Sequence, residues 1–164
     1  MIFATVGSML PFERFVRMVD AWAAEHPSEE VFVQIGRGQY EPAHAGWARM
    51  LDAADFEARV KAASLIVAHA GTGTVFAAQA HRKPIVLVPR HADLKEHTTD
   101  HQLHTAAWLK QKPGIVICDR QDDLAARIEE ARQLGSVDAG IGQHAPPEFL
   151  DRLRAAIQGF LDER

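Results

Sequence analysis

Leu65-Ile66-Val67-Ala68 and Ile85-Val86-Leu87-Val88 are unbroken apolar runs, and a run without alternation marks a strand covered on both faces. Such strands belong to parallel sheets, because the connection between parallel neighbours is a crossover helix that packs on one face or the other. Helical periodicity does lie between the runs. After Leu65–Ala68 the chain passes through His69-Ala70-Gly71-Thr72-Gly73-Thr74 into a helix expected at Val75–His81, and a further helix is expected at Asp100–Lys110 after the strand Ile85–Val88. The fold class implied is α/β, a doubly wound parallel sheet.

The remaining segments extend that pattern. Ile2–Val6 and Val31–Ile35 read as strands, each closed by glycine, and Ile115–Cys118 as a last strand. Pro11–Glu25 is an amphipathic helix with Phe12, Phe15, Val16, Val19 and Trp22 on one stripe and Glu13, Arg14, Arg17 and Asp20 facing away. Asp55–Ala63, Asp122–Leu134 and Pro147–Leu161 read as helices, whereas Trp47–Leu51 fits neither period. Only Gly135–Pro147 is linker-like, so residues 1–164 are expected to form a single domain with the final helix packed on its body. A length of 164 residues and a hydrophobic share of 47% suffice for one real core.

Charge and cysteine narrow the function classes. A formal net charge of -4 provides no basic face for nucleic acid. Cys118 is the single cysteine, which excludes an intrachain disulfide or a cysteine-based zinc cluster and suits a reducing compartment. Without a basic leader or an apolar run near the roughly 18 residues of a membrane span, the expected location is cytoplasmic, with any membrane contact peripheral.

In open parallel sheets ligands bind beyond the carboxyl ends of the strands. Gly71 and Gly73 stand at one such strand-to-helix turn, where absent Cβ atoms let backbone amides approach an anion at the positive helix end. Thr72 and Thr74 add hydroxyls, and His69 can donate to a phosphate oxygen. The same residues also fit a plain tight turn with Thr74 as helix cap and His69 half buried. Neither the nucleotide-binding P-loop nor the dinucleotide pattern fits, the latter because Phe76 stands where its third small residue belongs. A nicotinamide enzyme is therefore disfavoured.

The segment Pro89–Gln102 gathers charges, amides and hydroxyls suited to a polyhydroxylated ligand. His97 and His101 are four apart and raise the question of a metal, but no cysteine or ordered carboxylate pattern accompanies them, and no metal is expected.

Taken together, Ala68–Thr74, Lys83–Arg90 and Glu96–Gln102 resemble the C-terminal domain of family 28 glycosyltransferases. The likeness extends to the donor half of MurG and, more closely, to short subunits of split transferases: the PssE exopolysaccharide type and the catalytic subunit of the eukaryotic dolichol-linked GlcNAc transferase. Phe3–Ser8 and Leu10-Pro11-Phe12 fit those short subunits, and the likeness covers roughly residues 1 to 118. It implies a Rossmann-like fold that is one half of a GT-B enzyme, with a UDP-sugar as donor substrate and no cofactor. Carried over, Gly7, Ser8, His69, Gly71, Thr72, Gly73 and Thr74 would hold the diphosphate. Gln102 would meet the sugar, with Asp100 and His101 beside it, and backbone within Leu51–Asp55 would meet uracil. The family pattern has an acid for the ribose where this chain has Ala77; Glu96 could substitute or be a surface carboxylate, and Arg90 could offset donor charge or face water.

The resemblance further implies hexosyl or glucuronosyl transfer to a lipid-linked acceptor in exopolysaccharide or glycolipid synthesis. A membrane-anchored acceptor-binding subunit would supply the catalytic base, and the chain alone could form a homo-oligomer. A non-catalytic nucleotide-sugar-binding module is the alternative, favoured by Ala77.

Overall fold

The computed structural model describes residues 1–119, 123–135 and 145–162. In chain order the elements are β1 (Ile2–Thr5), α1 (Glu13–Glu25), β2 (Val31–Gln34), β3 (Gly46–Ala48), α2 (Ala53–Ala62), β4 (Leu65–His69), α3 (Thr72–Ala80), β5 (Ile85–Val88), α4 (His101–Leu109), β6 (Ile115–Ile117), α5 (Leu124–Leu134) and α6 (Pro147–Asp162). The strands form one six-stranded sheet in the order β3-β2-β1-β4-β5-β6, and every pairing is parallel. This is a Rossmann-like α/β fold.

Alternation along the strands shows why the apolar runs are unbroken. Ile2, Ala4, Val67 and Val86 turn to the face covered by Phe15, Val16, Val19 and Trp22 of α1 and by Ile128 and Ala131 of α5. Phe3, Ile66, Ala68, Ile85 and Leu87 turn to the other, where Val60 of α2, Val75 and Ala78 of α3, and Ala106 and Leu109 of α4 lie. Strands β1, β4 and β5 thus bury both sets of side chains, as the crossover geometry requires. The chain winds outward from β1 through β2 to β3, then returns to pair β4 beside β1. Connections after β1 and β4 therefore leave in opposite senses, and a crevice opens between them at the carboxyl edge.

Two differences from the sequence reading have physical causes. The indeterminate stretch Trp47–Leu51 contributes to an edge strand of three residues, part-exposed and too short to show a period. Asp20, placed on the outer face of α1, is 1% exposed. Its carboxylate accepts from the Tyr40 hydroxyl and from the amides of Ala43, His44 and Ala45, and so anchors the β2–β3 connection. Burial raises the Asp20 pKa, but those four donors outweigh it and hold the carboxyl below its usual range. Helix α6 forms where expected, and none of its described residues is buried. Most of the linker-like stretch and the expected helix start at Asp122 lie outside the described residues.

Candidate functional site

A cleft of about 800 Å³ opens at the carboxyl edge of the sheet, between the β1–α1 loop, the start of α3, the β3–α2 connection and the β5–α4 segment. Its position is the β1/β4 crevice set by the strand order.

One wall is backbone. Helix α3 starts at Thr72, three residues earlier than the sequence suggested, with Gly71 as an N-cap that has no side-chain acceptor. The amides of Thr72, Gly73 and Thr74 occupy the first turn, where a helix offers no internal acceptors, and no acidic residue lies in that turn. These donors sit at the positive end of the helix dipole. Thr74 is buried within the turn rather than capping it, while Thr72 and Gly73 are exposed. A Cβ added to Gly73 would meet nothing within 4 Å, so the missing side chain leaves open space above the turn.

The other two glycines answer to His69. A Cβ on Gly71 would lie 2.1 Å from His69 Nε2, and one on Gly7 would lie 2.5 Å from its Cε1, so the imidazole occupies the gap between two strand ends. Gly7 also has a φ of +80°, a left-handed conformation that favours glycine. His69 Nδ1 is buried without a hydrogen bond of good geometry among the described residues, the Thr5 backbone giving the ring only a weak contact. Burial first, then the Arg90 charge, lower the His69 pKa to about 4, so the ring at neutral pH is uncharged.

The facing wall is made of side chains from the β5–α4 segment. Arg90, expected either near the ligand or in water, is only 2% exposed. Its guanidinium donates to the carbonyls of Val6, Leu10, Pro11 and Glu96 and lies over the Phe12 ring, 4.4 Å from its centroid. It therefore ties the β1–α1 loop to the β5–α4 segment, and its charge lies under the cleft floor. Burial lowers its pKa to about 10, with Glu96 acting in the opposite direction. Glu96, offered above as a ribose contact or a surface carboxylate, is engaged within the protein. Its carboxylate takes both Arg14 Nε at 2.7 Å and Arg14 Nη2 at 2.9 Å, accepts from His91 N at 3.0 Å, and lies outside the cleft lining. Asp100 is also outside the lining and accepts from Ala92 N at 2.9 Å, a bond that holds the loop.

Gln102, His101 and Ser8 do line the cleft. Gln102 is buried, and its Oε1 accepts from Arg90 N at 3.1 Å. His101 meets His97 edge to face with ring centroids 4.3 Å apart. No group of three metal-ligating side chains forms among the described residues.

Leu51, Asp52 and Ala53 line the far end with Phe56 and Glu57. Asp52 caps α2 by accepting from Asp55 N at 2.8 Å. Ala77 packs against the apolar core instead of offering a carboxylate. Glu57 is a lining residue that sequence reasoning missed. It comes from α2 and is held by His81 Nε2 at 2.7 Å, a tertiary placement that no local pattern announces.

Comparison with known proteins gives this site a context. Residues 1–133 match the Glycosyltransferase family 28 C-terminal domain. No curated protein matches the chain in sequence. Among solved structures, Acinetobacter baumannii MurG superposes with a TM-score of 0.61 at 22% identity, covering 96% of this chain and 49% of that one. The kitacinnamycin glycotransferase gives 0.61 at 19% identity, covering 79% of this chain and 34% of that one. The solution structure of ALG13 gives 0.59 at 17% identity and covers 93% of both chains. At these identities the superpositions show a shared fold, and this chain spans about a third of the kitacinnamycin enzyme and half of MurG. With the family match running from β1 through most of α5, the chain belongs to the glycosyltransferase family 28 C-terminal domain family.

Proposed function

We propose that this chain is the donor-binding half of a split, UDP-sugar-dependent hexosyltransferase. The observation that carries the reading is the uncapped first turn of α3, which opens on the cleft at the sheet's switch point with free space over Gly73. A diphosphate there would accept from the Thr72, Gly73 and Thr74 amides, with Gly7 and Ser8 approaching from the first loop. The donor substrate would need no cofactor in this arrangement. His69, being neutral, would act as a donor or a spacer and not as a counter-ion.

Glycosyl transfer loads negative charge onto the departing diphosphate as the anomeric bond breaks. Fixed dipoles aimed at that position lower the barrier without having to reorganise. The α3 amides and the buried Arg90 charge supply such a field. Proton removal from the acceptor hydroxyl requires a base. Among the described residues, the carboxylates lining the cleft are Asp52, engaged as a helix cap, and Glu57, engaged by His81; in this reading the base belongs to an acceptor-binding partner. Met9, Leu10 and Met50 are exposed apolar residues on the cleft rim and suit contact with that partner. A membrane-anchored partner would bring a lipid-linked acceptor, placing this chain peripherally at a membrane in exopolysaccharide or glycolipid synthesis. Among the described residues no helix is long and apolar enough to cross one itself. Without its partner the chain is open to self-association.

Calorimetric titration with UDP, UDP-GlcNAc, UDP-glucuronate and NADPH tests the reading. Binding of a UDP species that Gly73→Val abolishes supports the donor half, and NADPH as the sole ligand overturns it. The apolar, partly buried Ala77 favours a second reading, a nucleotide-sugar-binding module without catalysis. Turnover on adding the acceptor subunit separates the two.

A further inference from the structure

Two side chains of the β5–α4 segment have their acceptor ends taken by backbone amides. Gln102 Oε1 receives Arg90 N at 3.1 Å, and His97 Nδ1 receives Thr99 N at 3.3 Å. A backbone N–H can only donate, so each bond fixes the polarity of the far end. Gln102 must present its NH2 group, and a neutral His97 ring must carry its proton on Nε2. Both residues line the cleft, and the His97 ring is held edge to face against His101.

The geometry points to His97 as a specificity-determining residue beside Gln102, an Nε2–H donor to a hydroxyl oxygen of the transferred sugar, and to an uncharged hexosyl unit as that sugar. This inference rests on the donor-half reading above. Among the described residues lining the cleft, Arg90 is the one Lys or Arg, and its guanidinium is already held by four backbone carbonyls. Burial, then His101 and Arg90, lower the His97 pKa and disfavour an imidazolium there. A uronate carboxylate would lose its hydration with no cationic side chain free to donate to it, since the Arg90 N–H groups are taken by carbonyls, whereas a hydroxyl exchanges water for one donor at little cost.

The test is titration of the wild-type chain, His97→Phe and His97→Gln with UDP, UDP-glucose, UDP-galactose, UDP-GlcNAc and UDP-glucuronate. It is paired with a long-range ¹⁵N–¹H spectrum of the wild-type histidines. An uncharged UDP-hexose is expected to bind more tightly than UDP-glucuronate. In His97→Phe the ratio of UDP-hexose to UDP affinity should fall about three- to tenfold, the worth of one neutral hydrogen bond. Gln, which places an amide N–H near the Nε2 position, should restore most of the ratio. The spectrum should show the Nε2–H form. An unchanged ratio in His97→Phe, tightest binding of UDP-glucuronate, or a proton on Nδ1 overturns the inference while UDP binding keeps the donor-half reading intact. If the wild-type chain binds no UDP species, the reading itself fails and the inference falls with it.

Discussion

The two walls of the cleft achieve polarity by opposite means. The α3 wall exposes backbone donors and keeps side chains out of their way, with open space over Gly73 and an imidazole wedged between Gly7 and Gly71. The β5–α4 wall is crowded with charged side chains, and several of them bond within the protein. Arg90 binds carbonyls, Glu96 binds Arg14, and Asp100 binds Ala92. The comparison teaches that a charge in a loop is as often a fastener for that loop as a contact for its ligand, and that the residues left facing the cleft are those with one end already satisfied.

The largest test of this contrast is Arg90→Met. Removing a buried cation from several carbonyl acceptors is expected to cost about 3–5 kcal/mol in urea-induced unfolding. If the variant unfolds like the wild type, the fastener role is wrong. The second test uses pH. The His69 pKa is depressed to about 4 in the folded chain from an ordinary 6.5. Between these values the unfolded chain holds the proton and the folded chain does not, so stability falls as pH drops from 6.5 toward 4. The loss is on the order of 3 kcal/mol. Comparing His69→Gln with the wild type across that interval isolates the effect from carboxylate titration, and parallel pH curves would show that the ring is not held neutral.

A smaller pair of effects opposes two glycines of the same loop. Gly71→Ala must push the His69 ring aside and should destabilise by about 1–3 kcal/mol. Gly73→Ala meets no atom, replaces a helical glycine, and should stabilise by about 0.5 kcal/mol while weakening UDP binding. Equal stability changes would erase the distinction between a glycine that accommodates the protein and one that leaves space for a ligand. The smallest effect is expected from removing residues 147–164. Because α6 has no buried residue, unfolding of the body should change by less than about 0.5 kcal/mol.

These outcomes also show what the sequence could and could not disclose. The strands at 65–69 and 85–88 were legible because double-sided burial leaves a one-dimensional trace, an unbroken apolar run. The strand Gly46–Ala48 left none, being short and covered on part of one face. Pro147–Leu161 reads as a helix and forms one, but helical periodicity does not say what covers it, and Phe149, Leu153, Ile157 and Phe160 stand 46–61% exposed. The glycine loop and Gln102 were placed at the cleft by motif. Asp20 reads as an outward residue although it is buried, and the engagements of Arg90 and Glu96 leave no trace in the sequence, because their partners are carbonyls, amides or an arginine from distant segments. Glu57 was overlooked because it reaches the cleft from a helix without any motif.

The Arg90 tie has a kinetic consequence. Since one guanidinium joins the Val6–Pro11 loop to the segment that begins β5's exit, neither of these two segments can swing without breaking its bonds to the other. Ligand entry into such a preformed site is expected to follow a single exponential whose rate rises linearly with ligand concentration, without the plateau that a slow lid would impose. Any closing motion that excludes water from the reaction would then have to come from outside this chain.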